Sequence, residues 1–260
     1  MTDTTASMAL PRIKSVSRAD VNAALSAGLA DFQRAPIYSL FFGAVLAGIG
    51  LILTLILYQR GLSLWALPLA AGFPLIGPFA AVGLYEISRR LERGEPLEWG
   101  PILTAGFRSQ HGQLPLFMVL AVFLFFAWIV LARVVFAISF GTASMTNVSS
   151  SLELFLTAPG LLMLAIGTLV GAALAALLFA ISVVSVPLLV DRDIDVVTAL
   201  ITSVRATIEN QAAMLYWGLI VALATVVAML PLFLGMVLVF PALGHASWHL
   251  YRRMIDAEGA

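Results

Sequence analysis

The stretch AAMLYWGLIVALATVVAMLPLFLGMVLVFPALGHASWHLY, Ala212 to Tyr251, decides how this chain is built. As one helix rising 1.5 Å per residue it would be ~60 Å long, about twice the ~30 Å hydrocarbon layer of a bilayer. Two spans fit instead, turning near Met229 to Pro231, where proline removes a backbone donor. The same length rule places earlier spans at Ile37–Leu57, Leu64 to Tyr85, Leu114–Ile138 and Gly160–Val190. The last is longer than one crossing requires and is expected to be tilted, broken or extended into the interface. The expectation is an all-α, polytopic membrane bundle of six helices forming one domain over residues 1–260, with residues 1–16 as a disordered tail.

Composition agrees. Hydrophobic residues make up 61% and charged residues 11%, with a mean hydropathy of +1.02, against about 45–50% and 25% in soluble domains. With no cysteine, disulfides, thiolate metal sites, iron–sulfur ligation and thiol nucleophiles are excluded. A net charge of +0 gives no reason to expect nucleic acid as a partner. MTDTTASMALPRIKSVSRAD at the start lacks the pattern of a cleaved signal peptide, so the first span is expected to remain as its own targeting signal.

Basic residues set the expected orientation. Arg12, Lys14, Arg18 and Arg34 precede the first span, Arg89, Arg90, Arg93 and Arg108 follow the second, Arg192 and Arg205 follow the fourth, and Arg252 and Arg253 follow the sixth. Of the 14 Lys+Arg, only Arg60 and Arg133 fall toward the other side. The positive-inside rule then puts both termini in the cytoplasm, whereas five spans would put Arg252 and Arg253 outside. Tyr38, Tyr85, Trp99, Tyr216, Trp217, Trp248 and Tyr251 are expected as an aromatic belt at the inner boundary, with Tyr58 and Trp65 at the outer one.

The segments that lead into the odd-numbered spans look alike. DVNAALSAGLADFQRAPIYSLFFG, from Asp20, lies without gaps on DVVTALITSVRATIENQAAMLYWG, from Asp195, and WGPILTAGFRSQHGQLPLF, from Trp99, fits the same register. Leu25, Leu103 and Leu200 coincide, as do Leu29, Phe107 and Val204, which suggests repeats over 17–85, 96–190 and 194–254, against chance matching of apolar residues. Val21, Ala24, Leu25, Gly28, Leu29 and Phe32 fall on one helical face, with Asp31 off it, and Val197, Leu200, Ile201, Val204 and Ile208 repeat the pattern. Each leader is expected to be an amphipathic helix in the membrane interface.

Asp191, Asp193 and Asp195, in VDRDIDVVTALI, begin the third leader. Helix capping and solvation account for them, with Arg192 and Arg205 as possible ion-pair partners; a calcium loop would need further oxygen ligands and a turn glycine. Pro74, Pro78 and Pro241 are expected helix kinks, and the Phe-Pro-x-x-Gly element is shared by the second and sixth spans. Freed carbonyls at such kinks can serve carriers, yet no ionisable side chain stands beside them at mid-membrane. Gly167, Gly171 and Ala175, with Gly43 and Ala47, read as packing seams within the chain or toward a partner. His245 and His249, one turn apart, have the spacing of metal or haem ligands but lack a third ligand, and capping of a helix C-terminus competes with that reading. No catalytic residue, bound cofactor or metal centre is indicated.

PLLVDRD at Pro187 to Asp193, Ser203-Val204-Arg205 and the Gly/Pro-rich second span resemble a family of uncharacterised bacterial integral membrane proteins of unknown function. The resemblance implies six helices in a bacterial inner membrane and no established activity. Some relatives are loosely associated with terminal respiratory oxidases, but the ligand histidines of an oxidase core are missing here. Together these readings predict a non-enzymatic accessory, stabilising or assembly subunit of a larger respiratory-type membrane complex, contacting lipid and other membrane subunits. The alternative is a carrier or channel for a small apolar or amphiphilic molecule.

Overall fold

The computed structural model describes residues 10–60, 72, 77–107, 113–141 and 152–256. These fold into helices α1 (Arg18–Arg34), α2 (Pro36–Gln59), α3 (Gly77–Ala80), α4 (Val82–Arg93), α5 (Trp99–Leu103), α6 (Gln113–Phe140), α7 (Ala158–Ser182), α8 (Ser185–Asp191), α9 (Val196–Glu209), α10 (Gln211–Met229) and α11 (Met236–Met254). Four stretches are long and apolar enough to cross a membrane: Pro36–Gln59, Gln113–Phe140, Ala158–Asp191 and Gln211–Met229. The expected second span falls largely on 61–71 and 73–76, outside the described residues, and Pro74 with it. The expected sixth is α11, whose second half carries His245, His249, Arg252 and Arg253 and is therefore less apolar.

The C-terminal apolar stretch does turn back on itself. Leu232 and Phe233 take positive φ of 51° and 67° between α10 and α11, and a Cβ on Gly235 would lie 2.7 Å from Ala228 Cα, so the two arms touch at the turn. α11 then runs through the middle of the main bundle, against α1, α2, α4, α8 and α10. Pro241 lies inside it and cannot donate to the Val237 carbonyl. Gly43 of α2 abuts that carbonyl, where a Cβ would fall 2.8 Å from the carbonyl carbon; the small residue admits the exposed peptide oxygen. Pro78 stands in the first turn of α3, a position that needs no amide donor.

Two expectations are corrected here, and two that the sequence left open are decided. The aromatic belt fails for Tyr85, Trp217, Trp248 and Tyr251, all of them core residues at 5% exposure or less, because the faces of α4, α10 and α11 that carry them are covered by other helices. Residues 10–16 are not a free tail: Ile13 forms an antiparallel bridge with Ile255, Lys14 N–H donates to Met254 O (2.8 Å) and Asp256 N–H to Arg12 O (3.1 Å). The fourth span is broken at Val183–Val184: the Val184 N–H donates to Ser203 Oγ (3.1 Å) and the Ser203 hydroxyl donates to Ala180 O (2.7 Å). A side chain from α9 thus stands inside the i to i−4 ladder, three residues before Pro187. The small-residue seams face this chain, with Gly171 against Trp128, Gly167 against Val135, and Gly43 against Val237.

The first and third leaders share a build. Ser17 caps α1 in a reciprocal box with Asp20, and Asp195 caps α9 by accepting from Thr198 N–H (2.9 Å). Each helix ends at one non-helical residue before a candidate span, Ala35 (φ −130°, ψ 52°) and Asn210 (φ −119°, ψ 36°), which are the positions paired by the sequence match. Their buried faces are small or polar: Val21, Ala24, Gly28 and Asp31 on α1, and Val196, Ala199, Thr202, Ser203 and Ala206 on α9. Leu29, Val197, Ile201 and Ile208 point outward.

Candidate functional site: a buried polar cluster at the charged end

The close approach of α1 and α11 creates the site. Gly28 has no side chain, and a Cβ there would lie 2.7 Å from Ala246 Cα. One turn beyond Gly28 is Asp31; His245 and His249 flank Ala246 on α11. Their contact buries Asp31 to 4% exposure, and its Oδ2 is 2.7 Å from His249 Nε2, while Arg34 Nη1 stands 3.5 Å from Oδ1. Burial alone would push this carboxyl up. The hydrogen bond and charge of His249 outweigh burial and hold it below the ordinary value of 3.8.

His245 is fully buried, and both of its ring nitrogens are occupied. Nε2 lies 2.9 Å from Ser39 Oγ of α2, and Nδ1 lies 2.7 Å from Ser88 Oγ of α4. Ser39 donates its only hydroxyl proton to Ala35 O (2.8 Å). With that proton committed, Nε2–H donates to Ser39, and the neutral ring accepts from Ser88 at Nδ1. Four helices, α1, α2, α4 and α11, meet at these five side chains.

A second cluster lies beside the first. Asp191 ends α8 with its side chain only 6% exposed, paired with Arg93 (3.0 Å) and Arg252 (3.2 Å) and accepting from Tyr251 Oη (2.8 Å). Arg252 also pairs with Glu92 (2.9 Å), which accepts from Trp248 Nε1 (3.1 Å). Nearby, Glu86, 2% exposed, accepts from Arg89 (2.7 and 2.9 Å) and Arg90 (2.7 Å).

The aspartate triplet therefore divides. Asp195 is a helix cap, held below its ordinary value by its Thr198 hydrogen bonds, and Asp193 is exposed. Asp191 is an interior junction between α4, α8 and α11, contrary to the expectation of a solvated cap, and its partners are Arg93 and Arg252. Arg192 instead donates to Asp256 O, and Arg205 pairs with Glu209 (3.0 Å). His249 is spent on Asp31 across the bundle, not on its own helix terminus. Among the described residues no group of three His, Cys, Asp or Glu is arranged to hold a metal ion; His111 lies outside them.

Sequence reasoning missed Asp31, Ser39 and Ser88. The one available signal was negative: a carboxylate among small residues in a leader whose larger apolar side chains can face outward in lipid.

No curated protein and no solved structure matches the chain. The family model that does match spans the second expected crossing to the end of α8, so it includes Glu86, Ser88 and Asp191 and leaves out α1, α2 and α11. Residues 66–191, just under half of the chain, are similar to DUF2189, described as a predicted integral membrane protein.

Proposed function

We propose that this protein is a non-enzymatic, six-span component of a bacterial inner membrane that acts as an accessory, stabilising or assembly subunit of a larger membrane complex. The observation that carries this reading is the saturation of its interior. Among the described residues, the one buried side-chain nitrogen or oxygen without a hydrogen-bond partner is Arg192 Nη1. A carrier needs polar groups left free along a path for its cargo. Here Asp31, Glu86, Asp191 and His245 are taken up by neighbours in the same chain, and the carbonyl released by Pro241 is covered by Gly43. An interior of this kind holds helices in register.

The topology in this proposal has both termini in the cytoplasm. The bridge between Ile13 and Ile255 holds the first and last described segments together, which supports an even number of crossings. Six crossings keep α11 and the second apolar run in the bilayer, and the basic residues that accompany the clasped ends favour the cytoplasmic side. The three leaders then lie in the inner interface as a threefold repeat, with Leu29, Leu103, Phe107, Val197 and Ile208 exposed toward lipid.

The test is purification of the tagged protein from native membranes in mild detergent, followed by mass spectrometry of what travels with it. The proposal expects a defined membrane complex, and loss of that complex's other subunits on deletion. A protein that migrates alone, with membrane complexes unchanged in its absence, contradicts it.

A further inference from the structure

We propose that the outward face of α6 is the docking surface for a transmembrane helix of a partner subunit, which meets Arg133 with an aspartate or glutamate side chain. The inference deepens the subunit reading above and rests on it. Two charged residues fall within the four stretches long and apolar enough to cross a membrane, Arg133 and Asp191. Asp191 is turned inward and paired with Arg93 and Arg252. Arg133 is exposed, and among the described residues it has no ion-pair partner. A charged side chain inside a span normally faces the bundle interior or an aqueous cavity, where a counter-charge stabilises it. Here it faces away from the chain's own helices, so the counter-charge comes from outside.

The apolar surface that leads to Arg133 has the spacing of a helix-packing seam. α6 turns Leu114, Phe117, Leu124 and Trp128 inward, and its contact with α7 runs through Trp128 on Gly171 and Val135 on Gly167. On the opposite side Leu116, Val119, Phe123, Phe126 and Val130, each 55–67% exposed, approach Arg133 in alternating steps of three and four residues. That is the spacing with which one helix packs along another, and a single polar residue in such a seam sets register and partner.

Two other occupants fit this face less well. A second copy of this chain has the same orientation in the membrane, so a twofold pairing through the seam brings Arg133 against Arg133, and like charges at one depth repel. A phospholipid phosphate lies at the headgroup level. From Arg133 to Phe140, however, α6 rises a further ~10 Å, and Val134 and Ile138 expose apolar surface there. Arg133 thus stands within the hydrocarbon, at the depth of a partner's side chain.

Site-specific photo-crosslinking in native membranes tests this. The full chain carries benzoylphenylalanine in place of Phe126 or Val130, with Leu219 and Leu223 of α10, also exposed, as control positions. The proposal predicts that positions 126 and 130 give an adduct with one other membrane protein, and that the cross-linked peptide is an apolar span carrying Asp or Glu. Positions 219 and 223 should not give it. Arg133→Glu should lower the yield by about tenfold or more, because it sets the partner's charge against a like one. Arg133→Lys should retain the adduct, and arginine in place of the partner's acid should restore it in the Arg133→Glu protein. Should Arg133→Glu not accumulate, Arg133→Gln is expected to show the same loss. Adducts with phospholipid or with a second copy alone, or a yield that neither Arg133→Glu nor Arg133→Gln lowers, overturn the proposal. A complex that copurifies in mild detergent while positions 126 and 130 capture no protein removes this surface and leaves the subunit reading standing; absence of any complex removes both.

Discussion

Gly28 and Ala246 bring α1 and α11 so close that a methyl group on Gly28 would stand 2.7 Å from Ala246 Cα. That contact is made against backbone, which cannot rotate aside. Gly28→Val is therefore expected to destabilise the protein by about 1–3 kcal/mol, the usual range for overpacking, and to separate Asp31 from His249. Unfolding titrations in mixed detergent measure the loss, and Gly48→Val, where nothing lies within 4 Å, is the matched control expected near zero.

Asp31 gives a pH dependence of definite sign. Its folded value lies below the ordinary 3.8, so its contribution to stability is complete above that value and is lost as pH falls through the folded value. Asp31→Asn should lower stability at neutral pH, and the gap from wild type should close as the medium is acidified below about 4. Asp31→Ala leaves His249 facing an apolar gap and is expected to cost roughly 3 kcal/mol at neutral pH. Stability curves of the variants across pH check both statements; a gap that widens toward acid contradicts the assignment.

Ser203 is expected to hold the broken fourth span together. Ser203→Ala removes the half-buried donor to Ala180 O and the buried acceptor for Val184 N–H at once. The loss should be about 1–3 kcal/mol, with Thr207→Ala, whose hydroxyl only returns to Ser203 O, costing less. The same unfolding assay ranks the two.

These results show why some of the architecture was legible in the sequence. Caps are local, so Ser17 with Asp20 and Asp195 with Thr198 can be read within four residues. The gapless match of the first and third leaders aligned Ala35 with Asn210, where both helices break. Residues that pair across the whole chain, such as Asp31 and His249, leave no local trace. Periodicity also misled: in water the larger apolar face turns inward, but beside lipid the inward face can be the small and polar one. Val197, at 59% exposure, and Asp31, at 4%, are both on the opposite side from that expected.

Asn210 binds the N-terminal segment to the bundle. Its Oδ1 accepts from Val16 N–H (2.7 Å), and its Nδ2 donates to Lys14 O (3.2 Å) and Ala206 O (3.1 Å). Asn210→Ala should free this strap, and limited trypsin digestion at Arg12 and Lys14 should then run about tenfold faster, since cleavage follows the population of the open form. Unchanged digestion would mean that the Ile13–Ile255 bridge and the Lys14–Asp256 ion pair (2.8 Å) suffice without it.

The most direct test of the whole architecture is the side of the membrane on which each charged segment lies. The chain has no cysteine, so single substitutions report without background. Membrane-impermeant thiol labelling of Leu10→Cys, Arg34→Cys and Arg205→Cys should occur only from the cytoplasmic face, and of Arg60→Cys only from the opposite face. Labelling of Leu10→Cys and Arg205→Cys from opposite faces would contradict the clasped ends, the even number of crossings and the bundle built around α11.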